Sequence, residues 1–474
     1  MSSSRGNYSR VGVDFDLDDD HDLDDDADAD ADFDEADAHA RAKAHAESLR
    51  KKRFVPETRR DPDDDDYERR SYPLLRSWFC LCVGIGGTFV AFRYGPLTAG
   101  GGGVSFSSRV NLPPTLRGWG PDEENDDDPE YGLKDTVPIE PHVGKKKVMV
   151  TGAGGFVGSH VAEFLLDRGD DVVVVDEMND YYDVRVKEEN LAILQRKAPD
   201  VKGTLSIYRG DVANETFIRD VFRKERPKWI CHLAARAGVR YSIFDPYVYI
   251  HSNIEGTVRL MDLGVEYNVT NFVYASSSSV YGGSKSTYFS EAENVDRPIS
   301  PYAASKKSVE LMAYTWHHLY GLPLTGLRFF TVYGPRGRPD MAPFIFVDRI
   351  SRGKQIKQFG DGSTSRDYTY VDDIVDGIVR AVDRPYGYEV FNLGKGNGTK
   401  LSDFIHLVQK YTNRTADIKV LPEQPGDVPY TCADVEKAGR LLGYNARIQF
   451  EEGIRRTAEW YASPTAVIAK TEDD

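Results

Sequence analysis

From about Lys145 almost to the carboxyl end, short apolar runs alternate with longer stretches of mixed polarity. Lys147-Val148-Met149-Val150, Val172-Val173-Val174-Val175, Leu205–Tyr208 and Trp229-Ile230-Cys231-His232 are four residues each and nearly uncharged, as strands covered on both faces require. Ser159–Arg168 has the pattern of a helix, and Phe391-Asn392-Leu393-Gly394 that of a late strand. The alternation predicts an α/β fold built on a parallel sheet. A larger first domain is expected over residues 145–330 and a smaller α/β domain over 331–461, with a strand near 389–394 returning to the first sheet. Residues 462–474 are expected to form a flexible tail.

The preceding third of the chain is patterned differently. Residues 1–70 hold 23 acidic and 12 basic side chains, so much of the net charge of −16 sits there. Runs such as Asp18-Asp19-Asp20 and Asp63 to Asp66 repel one another, and too few apolar residues intervene to offset the entropy of ordering. A disordered tail is expected. Ser77–Phe92 carries no charge. Its length, about 24 Å as a helix, approaches the hydrocarbon core if Arg76 snorkels and the span extends back towards Pro73. The expectation is a single transmembrane helix over 74–92; a buried helix or an organelle-targeting segment are the alternatives. Basic residues from Lys51 to Arg76 precede it, which places the amino end in the cytosol. Residues 93–144, with Gly100 to Gly103 and Pro113-Pro114, have no apolar period and are expected to form a stem.

The remaining charge excludes some partners. No basic face suggests nucleic acid. The four cysteines, Cys80, Cys82, Cys231 and Cys432, suggest neither a disulfide framework nor a zinc site, and no metal is expected. Cys80 and Cys82 are either apolar filler or acylation sites at a membrane boundary.

The first strand runs into Thr151-Gly152-Ala153-Gly154-Gly155-Phe156-Val157-Gly158. Gly152, Gly155 and Gly158 let the backbone turn tightly, so that a pyrophosphate can approach the amides opening the next helix, beside Phe156 and Val157. Asp176 ends the second strand, where a carboxylate accepts from an adenosine ribose and disfavours a 2′-phosphate. That combination predicts a Rossmann-type doubly wound sheet binding NAD. Asp211 and Val212 follow the third strand and are expected beside the adenine. Ala234 and Ala235 follow the fourth and leave room for the cofactor. His232 is expected to be structural. In Ser300-Pro301-Tyr302-Ala303-Ala304-Ser305-Lys306, Tyr302 and Lys306 share a helix face. An ammonium beside the phenol is expected to lower its pKa and fit it for proton transfer.

From about Lys145 to Tyr461 the chain resembles the extended short-chain dehydrogenase/reductase family, the nucleotide-sugar epimerases and dehydratases. The resemblance rests on the glycine spacing, Asp176, Ser276–Ser279, Tyr302 with Lys306, and Arg328-Phe329-Phe330-Thr331-Val332-Tyr333-Gly334-Pro335. It implies bound NAD, a nucleotide-sugar substrate and the catalytic set Ser277, Tyr302 and Lys306. Dehydratases of this family carry an Asp-Glu pair where Ser278 and Ser279 stand, so dehydration is disfavoured. Ala235-Arg236-Ala237-Gly238-Val239-Arg240-Tyr241-Ser242 looks like the UDP-glucuronate 4-epimerases, with Arg236 departing from their usual glutamine. Epimerases of neutral sugars carry asparagine at the Thr331 position. Ser278, Ser279 and Thr331 can donate to a uronate carboxylate, and Arg338 can add charge.

The resemblance further implies Arg366 at the diphosphate, Asp427 at the nucleoside, Asn392 in a structural role, and reversible conversion of UDP-glucuronate to UDP-galacturonate through a 4-keto sugar. The alternatives are a 4-epimerase of UDP-glucose or UDP-xylose, and a non-catalytic nucleotide-sugar-binding protein. A homodimer is expected, anchored in the Golgi membrane as a single-pass type II protein with its catalytic domain in the lumen.

Overall fold

Valine-rich runs with no polar face can be accommodated only between two helical layers, and that is where the chain puts them. The computed structural model describes residues 136–422, 430–464 and 466–467. The expected acidic tail, the span over 74–92 and the nucleoside residue Asp427 lie outside them. No helix among the described residues is long and apolar enough to cross a membrane.

β1 (Lys147–Thr151) leads through the glycine turn into α1 (Phe156–Arg168), β2 (Asp171–Asp176), α2 (Val184–Lys197), β3 (Leu205–Arg209) and α3 (Glu215–Glu225). β4 (Trp229–His232), α4 (Gly256–Glu266), β5 (Asn271–Ser277), α5 (Pro301–Tyr320) and β6 (Leu324–Phe329) follow. These strands form a parallel sheet in the order β3-β2-β1-β4-β5-β6, and the later strand β10 (Tyr388–Leu393) adds itself beside β6. Strand alternation splits the core in two. Val148, Val150, Val172 and Val174 pack with α1 and α2 on one face. Met149, Val173 and Val175 pack with α3, α4 and α5 on the other. The chain steps outward from β1 in one direction, then restarts at β4 on the other side. The crevice where the order reverses is the place for a ligand.

α1 begins at Phe156, three residues before the helix pattern predicted, because Gly155 is extended and caps it. The smaller part contains β7 (Thr331–Tyr333), α6 (Ala342–Ser351), β8 (Ile356–Phe359) and β9 (Ser365–Tyr370). α7 (Val371–Val382) crosses back and packs on α1 and β5, so the return to the first sheet starts well before β10. β11 (Gly398–Lys400), α8 (Leu401–Thr412), β12 (Ile418–Leu421), α9 (Glu436–Leu442) and α10 (Phe450–Ala462) complete the described chain. β11, β9 and β7 form one small sheet, β12 and β8 another.

α5 is seated on the sheet by a buried ion pair. Glu310 accepts from Arg328 Nε at 2.9 Å and Nη2 at 2.8 Å, and from Ser276 Oγ at 2.6 Å. Arg328 Nη1 donates to Tyr281 Oη at 3.0 Å, and Tyr281 in turn to Asn392 Oδ1 at 2.7 Å. Asn392 Nδ2 donates to the Phe289 and Asp434 carbonyls, so its role is structural. Glu310→Ala should destabilise the protein by about 3–5 kcal/mol, because Arg328 is left charged and buried. The double variant Glu310→Leu, Arg328→Met should recover most of that loss in urea unfolding.

Candidate functional site

The carboxyl ends of β1 and β4 meet so closely that only glycine fits at the turn. Gly152 has φ 73°, and a Cβ there would lie 2.6 Å from the Ala234 nitrogen. A Cβ at Gly158 would lie 2.2 Å from the Gly152 carbonyl oxygen. The loop therefore runs flat against the start of α1, whose first turn borders a cavity of about 360 Å³. Gly152, Gly155, Phe156, Val157 and Gly158 line one side of it, and Asp176, Asp211, Val212, Ala234 and Ala235 line it further along. Asp176 Oδ2 accepts from the Gly154 amide at 2.9 Å and Oδ1 from the Met178 amide at 2.9 Å. These residues fit a dinucleotide: a cradle without side chains, a helix start for the diphosphate, and a carboxylate for the ribose.

His232 lies beneath the floor. Its two ring nitrogens meet Thr151 Oγ1 at 2.7 Å and Thr257 Oγ1 at 2.8 Å, and burial pushes its pKa down to about 3. It is a neutral strut between β4 and α4.

Ser277, Tyr302 and Lys306 stand together on the opposite wall. Ser277 ends β5, and its hydroxyl is paired with Ser279 at 3.2 Å, close enough to the Tyr302 phenol to favour the phenolate. Ser300 caps α5 by accepting from Ala303 N, and Pro301 starts the helix, so Tyr302 is held in the first turn. Tyr249 packs edge-on against its ring at 6.0 Å between centroids. The phenol departs from expectation. Its pKa is raised by burial, which outweighs the Ser277 hydrogen bond and the positive charge of Arg338. Lys306 Nζ donates to the Ala275 carbonyl at 2.8 Å, and burial lowers the lysine pKa to about 8, with Glu310 opposing. The lysine is thus pinned to β5, and Ser277 and Arg338 are the groups that favour the phenolate.

Ser278, Ser279, Thr331 and Arg338 border the same cavity. Ser278 and Ser279 open a tight turn capped by Ser277, and Thr331 starts β7. The Arg338 guanidinium is forked onto Asp340 at 3.0 and 2.5 Å and lies 5.7 Å from the centre of the Tyr181 ring. Tyr181 donates to the same Asp340 at 3.2 Å. Arg336 points elsewhere, pairing with Glu163 of α1 at 2.6 Å and bonding His160 at 3.3 Å. Arg366 is not among the cavity residues; it lies on β9, and its guanidinium donates to the Ser365 carbonyl at 3.0 Å.

Several residues went unread in the sequence. Asn253 holds the turn after β4 by bonding both the amide and the carbonyl of Arg236, and it also reaches Ser305 of α5. Asn190 ties down the Gly154 carbonyl at 2.9 Å. Arg236 itself pairs with Glu177 at 3.0 Å on the cavity wall. Tyr181 and Asp340, which hold Arg338, lie far apart in the chain. Only Asn253 had a local signal, an amide on the segment leading into α4.

Residues 149–457 match the family model described as GDP-mannose 4,6 dehydratase. The chain is 44% identical over 313 residues to UDP-glucuronate 4-epimerase of Thermodesulfobacterium geofontis, covering 66% of this chain and 95% of that protein. Among solved structures, UDP-glucuronic acid 4-epimerase from Bacillus cereus, in complex with UDP-glucuronic acid and NAD, is 33% identical with a TM-score of 0.62, covering 66% of this chain and 98% of that one. UDP-glucose 4-epimerase from Thermotoga maritima, with UDP-glucose, is 32% identical with a TM-score of 0.60, covering 66% and 98%. The backbone alone does not separate these two substrates.

The buried lysine leaves a measurable trace in stability. Its folded pKa of about 8 lies below the ordinary value of 10.5. Between these, the unfolded chain holds the proton and the folded protein does not, so stability rises with pH across that window. Wild type should gain stability relative to Lys306→Met from about pH 8 to 10, and the difference should be level below about pH 8. Urea unfolding at stepped pH checks this.

Proposed function

The chain belongs to the GDP-mannose 4,6 dehydratase family, the short-chain dehydrogenase/reductase-type epimerases and dehydratases, and from that premise we propose that it interconverts UDP-glucuronate and UDP-galacturonate as an NAD-dependent UDP-sugar 4-epimerase. The observation that carries the substrate reading is one cavity holding Tyr302 and Lys306 together with Ser278, Ser279, Thr331 and Arg338. Three hydroxyls and a guanidinium suit a carboxylate on the sugar. The turn after Ser277 offers no acid for expelling water, which separates this chain from the dehydratases that share its family.

The glycine loop and Asp176 would hold NAD, which would supply reversible hydride acceptance. The remaining work belongs to the protein. Tyr302 takes the proton from the sugar O4 and gives it back, with Ser277 sharing the hydrogen bond as charge develops. Lys306, fixed to the Ala275 carbonyl, keeps a cationic head beside the reacting end of the cavity. A 4-keto uronate is a β-keto acid, prone to lose CO₂. The hydroxyls hold its carboxylate while the ring turns about the diphosphate linkage. UDP-glucose and UDP-xylose 4-epimerisation are the competing reading, because the fold accommodates neutral sugars in a solved relative.

Membrane anchoring and a Golgi address rest on the uncharged Ser77–Phe92 stretch and the basic residues before it. A homodimer is proposed from an apolar surface. Phe244, Tyr247 and Ile250 are 84%, 71% and 52% exposed, and α5 beside them exposes Leu311 and Leu319. Light scattering of the full chain should return twice the monomer mass, and a monomer would remove the dimer. Purified protein incubated with UDP-glucuronate, UDP-glucose and UDP-xylose should convert the acid sugar at the highest kcat/KM. Tyr302→Phe should lose about 100-fold or more, and Arg338→Ala, which also removes a charge favouring the phenolate, should slow both sugars but cost UDP-glucuronate roughly 10-fold more than UDP-glucose. Failure to convert UDP-glucuronate refutes the substrate assignment.

A further inference from the structure

Asp211 is held from two sides. Its Oδ1 accepts from the Ala213 amide at 2.8 Å within the turn after β3. Its Oδ2 meets Nε2 of His251 at 2.7 Å, from a residue forty positions away. The other ring nitrogen of His251 meets Glu255 Oε2 at 3.1 Å. A neutral imidazole has one N–H and one lone pair, and a carboxylate can only accept. Two carboxylates on two ring nitrogens are therefore both satisfied only when the ring carries both protons.

The segment that presents His251 is built for the site. Ile250–Glu255 is a π-helical turn leading into α4, and such widened turns concentrate at functional sites. Three consecutive residues of it bear on the cavity, one directly and two through residues that line it. His251 holds Asp211, Ser252 lines the wall, and Asn253 fixes the Arg236 backbone.

We propose that His251 is a positioning residue for the adenine end of the cofactor: as an imidazolium it locks the Asp211 carboxylate, and the protein holds NAD less firmly once that proton is lost. The proposal rests on the reading of this cavity as the NAD site with Asp211 at the adenine.

The groups facing the ring set the sign. Asp211 comes from the β3–α3 turn and Glu255 from the ring's own segment. Arg259 of α4 engages Glu255 at 2.9 Å and Glu215 of α3 at 2.8 Å. Asp262 of α4 accepts from Trp316. α5, packed behind, carries Lys306 and Lys307, which engage Ala275 and Asp296. Asp245, before the short turn at Tyr247–Tyr249, accepts from the Tyr247 amide. The two flanking carboxylates, Asp211 foremost, raise the His251 pKa above its ordinary 6.5. The imidazolium therefore persists to a higher pH than in a free histidine and is lost as pH rises through the raised value. NAD favours the protonated form, so its binding takes up a proton in that window.

The test uses the full chain purified with its NAD. Release is followed by chasing with isotopically labelled NAD at steps from about pH 6 to 9. Wild-type release should quicken about fivefold across the range, the difference between a charged and a neutral hydrogen bond. His251→Gln, which still donates but carries no charge, should release at the fast rate at every pH. His251→Arg, a permanent cation, should release slowly at every pH. NAD held with a flat wild-type profile, or with the same slope in all three proteins, overturns the proposal and leaves the cofactor reading standing. A chain that holds no NAD at any pH overturns both.

Discussion

The fork between Glu310 and Arg328 sets the position of everything chemical in this protein. α5 touches the sheet through a thin apolar strip, chiefly Ala303, Val309 and Ala313, while Leu311, Tyr314 and Leu319 face outward. So few small contacts would let the helix slide by a turn at little cost. The buried pair forbids it, because a shift of about 5.4 Å would strand two charges in the core. Tyr302, Lys306 and Glu310 recur every fourth residue along one stripe. Fixing Glu310 against β6 thereby fixes Lys306 under the Ala275 carbonyl and Tyr302 beside Ser277. The same network continues through Tyr281 and Asn392 to β10.

What could be read from the chain in advance was what local chemistry dictates. Four-residue valine runs have one reasonable environment, and glycines at 152, 155 and 158 have one reasonable turn. Those features placed the sheet, the crevice and Asp176. The helix start was misjudged by three residues, because an extended glycine cap is invisible to periodicity. Tyr302 and Lys306 share one face, as their spacing predicts, but burial outweighs every charge acting on the phenol and raises its pKa. Spacing says where side chains begin, and burial decides what they do. Here the nearest strong acceptor for the ammonium is a strand carbonyl, and the phenol sits deep enough for desolvation to dominate.

Contacts between distant segments were unreadable for a different reason. Arg336 and Arg338 are two residues apart in one loop yet serve opposite purposes. Arg336 is drawn to Glu163 and His160 on α1, which anchors the loop to the helix that opens beside the dinucleotide. Its φ of 61°, unusual for arginine, lets the loop reverse there. Arg338 is released on the other side, over Tyr181. No pattern in Pro335-Arg336-Gly337-Arg338 distinguishes the two, because the difference lies in what α1 and the loop after β2 present.

The partnership of Arg338 with Asp340 also constrains how a carboxylate can be read. The guanidinium is already forked onto one carboxylate, and Tyr181 holds that carboxylate in place. An incoming uronate cannot take the fork without displacing Asp340, which would leave a second anion poorly compensated. On the proposed reading it can instead accept from Ser278, Ser279 and Thr331, while Arg338 contributes its field from one layer out. Such a set tolerates rotation of the sugar, since each hydroxyl can exchange partners as the carboxylate sweeps past. A vacant guanidinium would grip one orientation and favour one epimer over the other. The paired arginine therefore fits a reaction that must bind two epimers in turn better than a free one would.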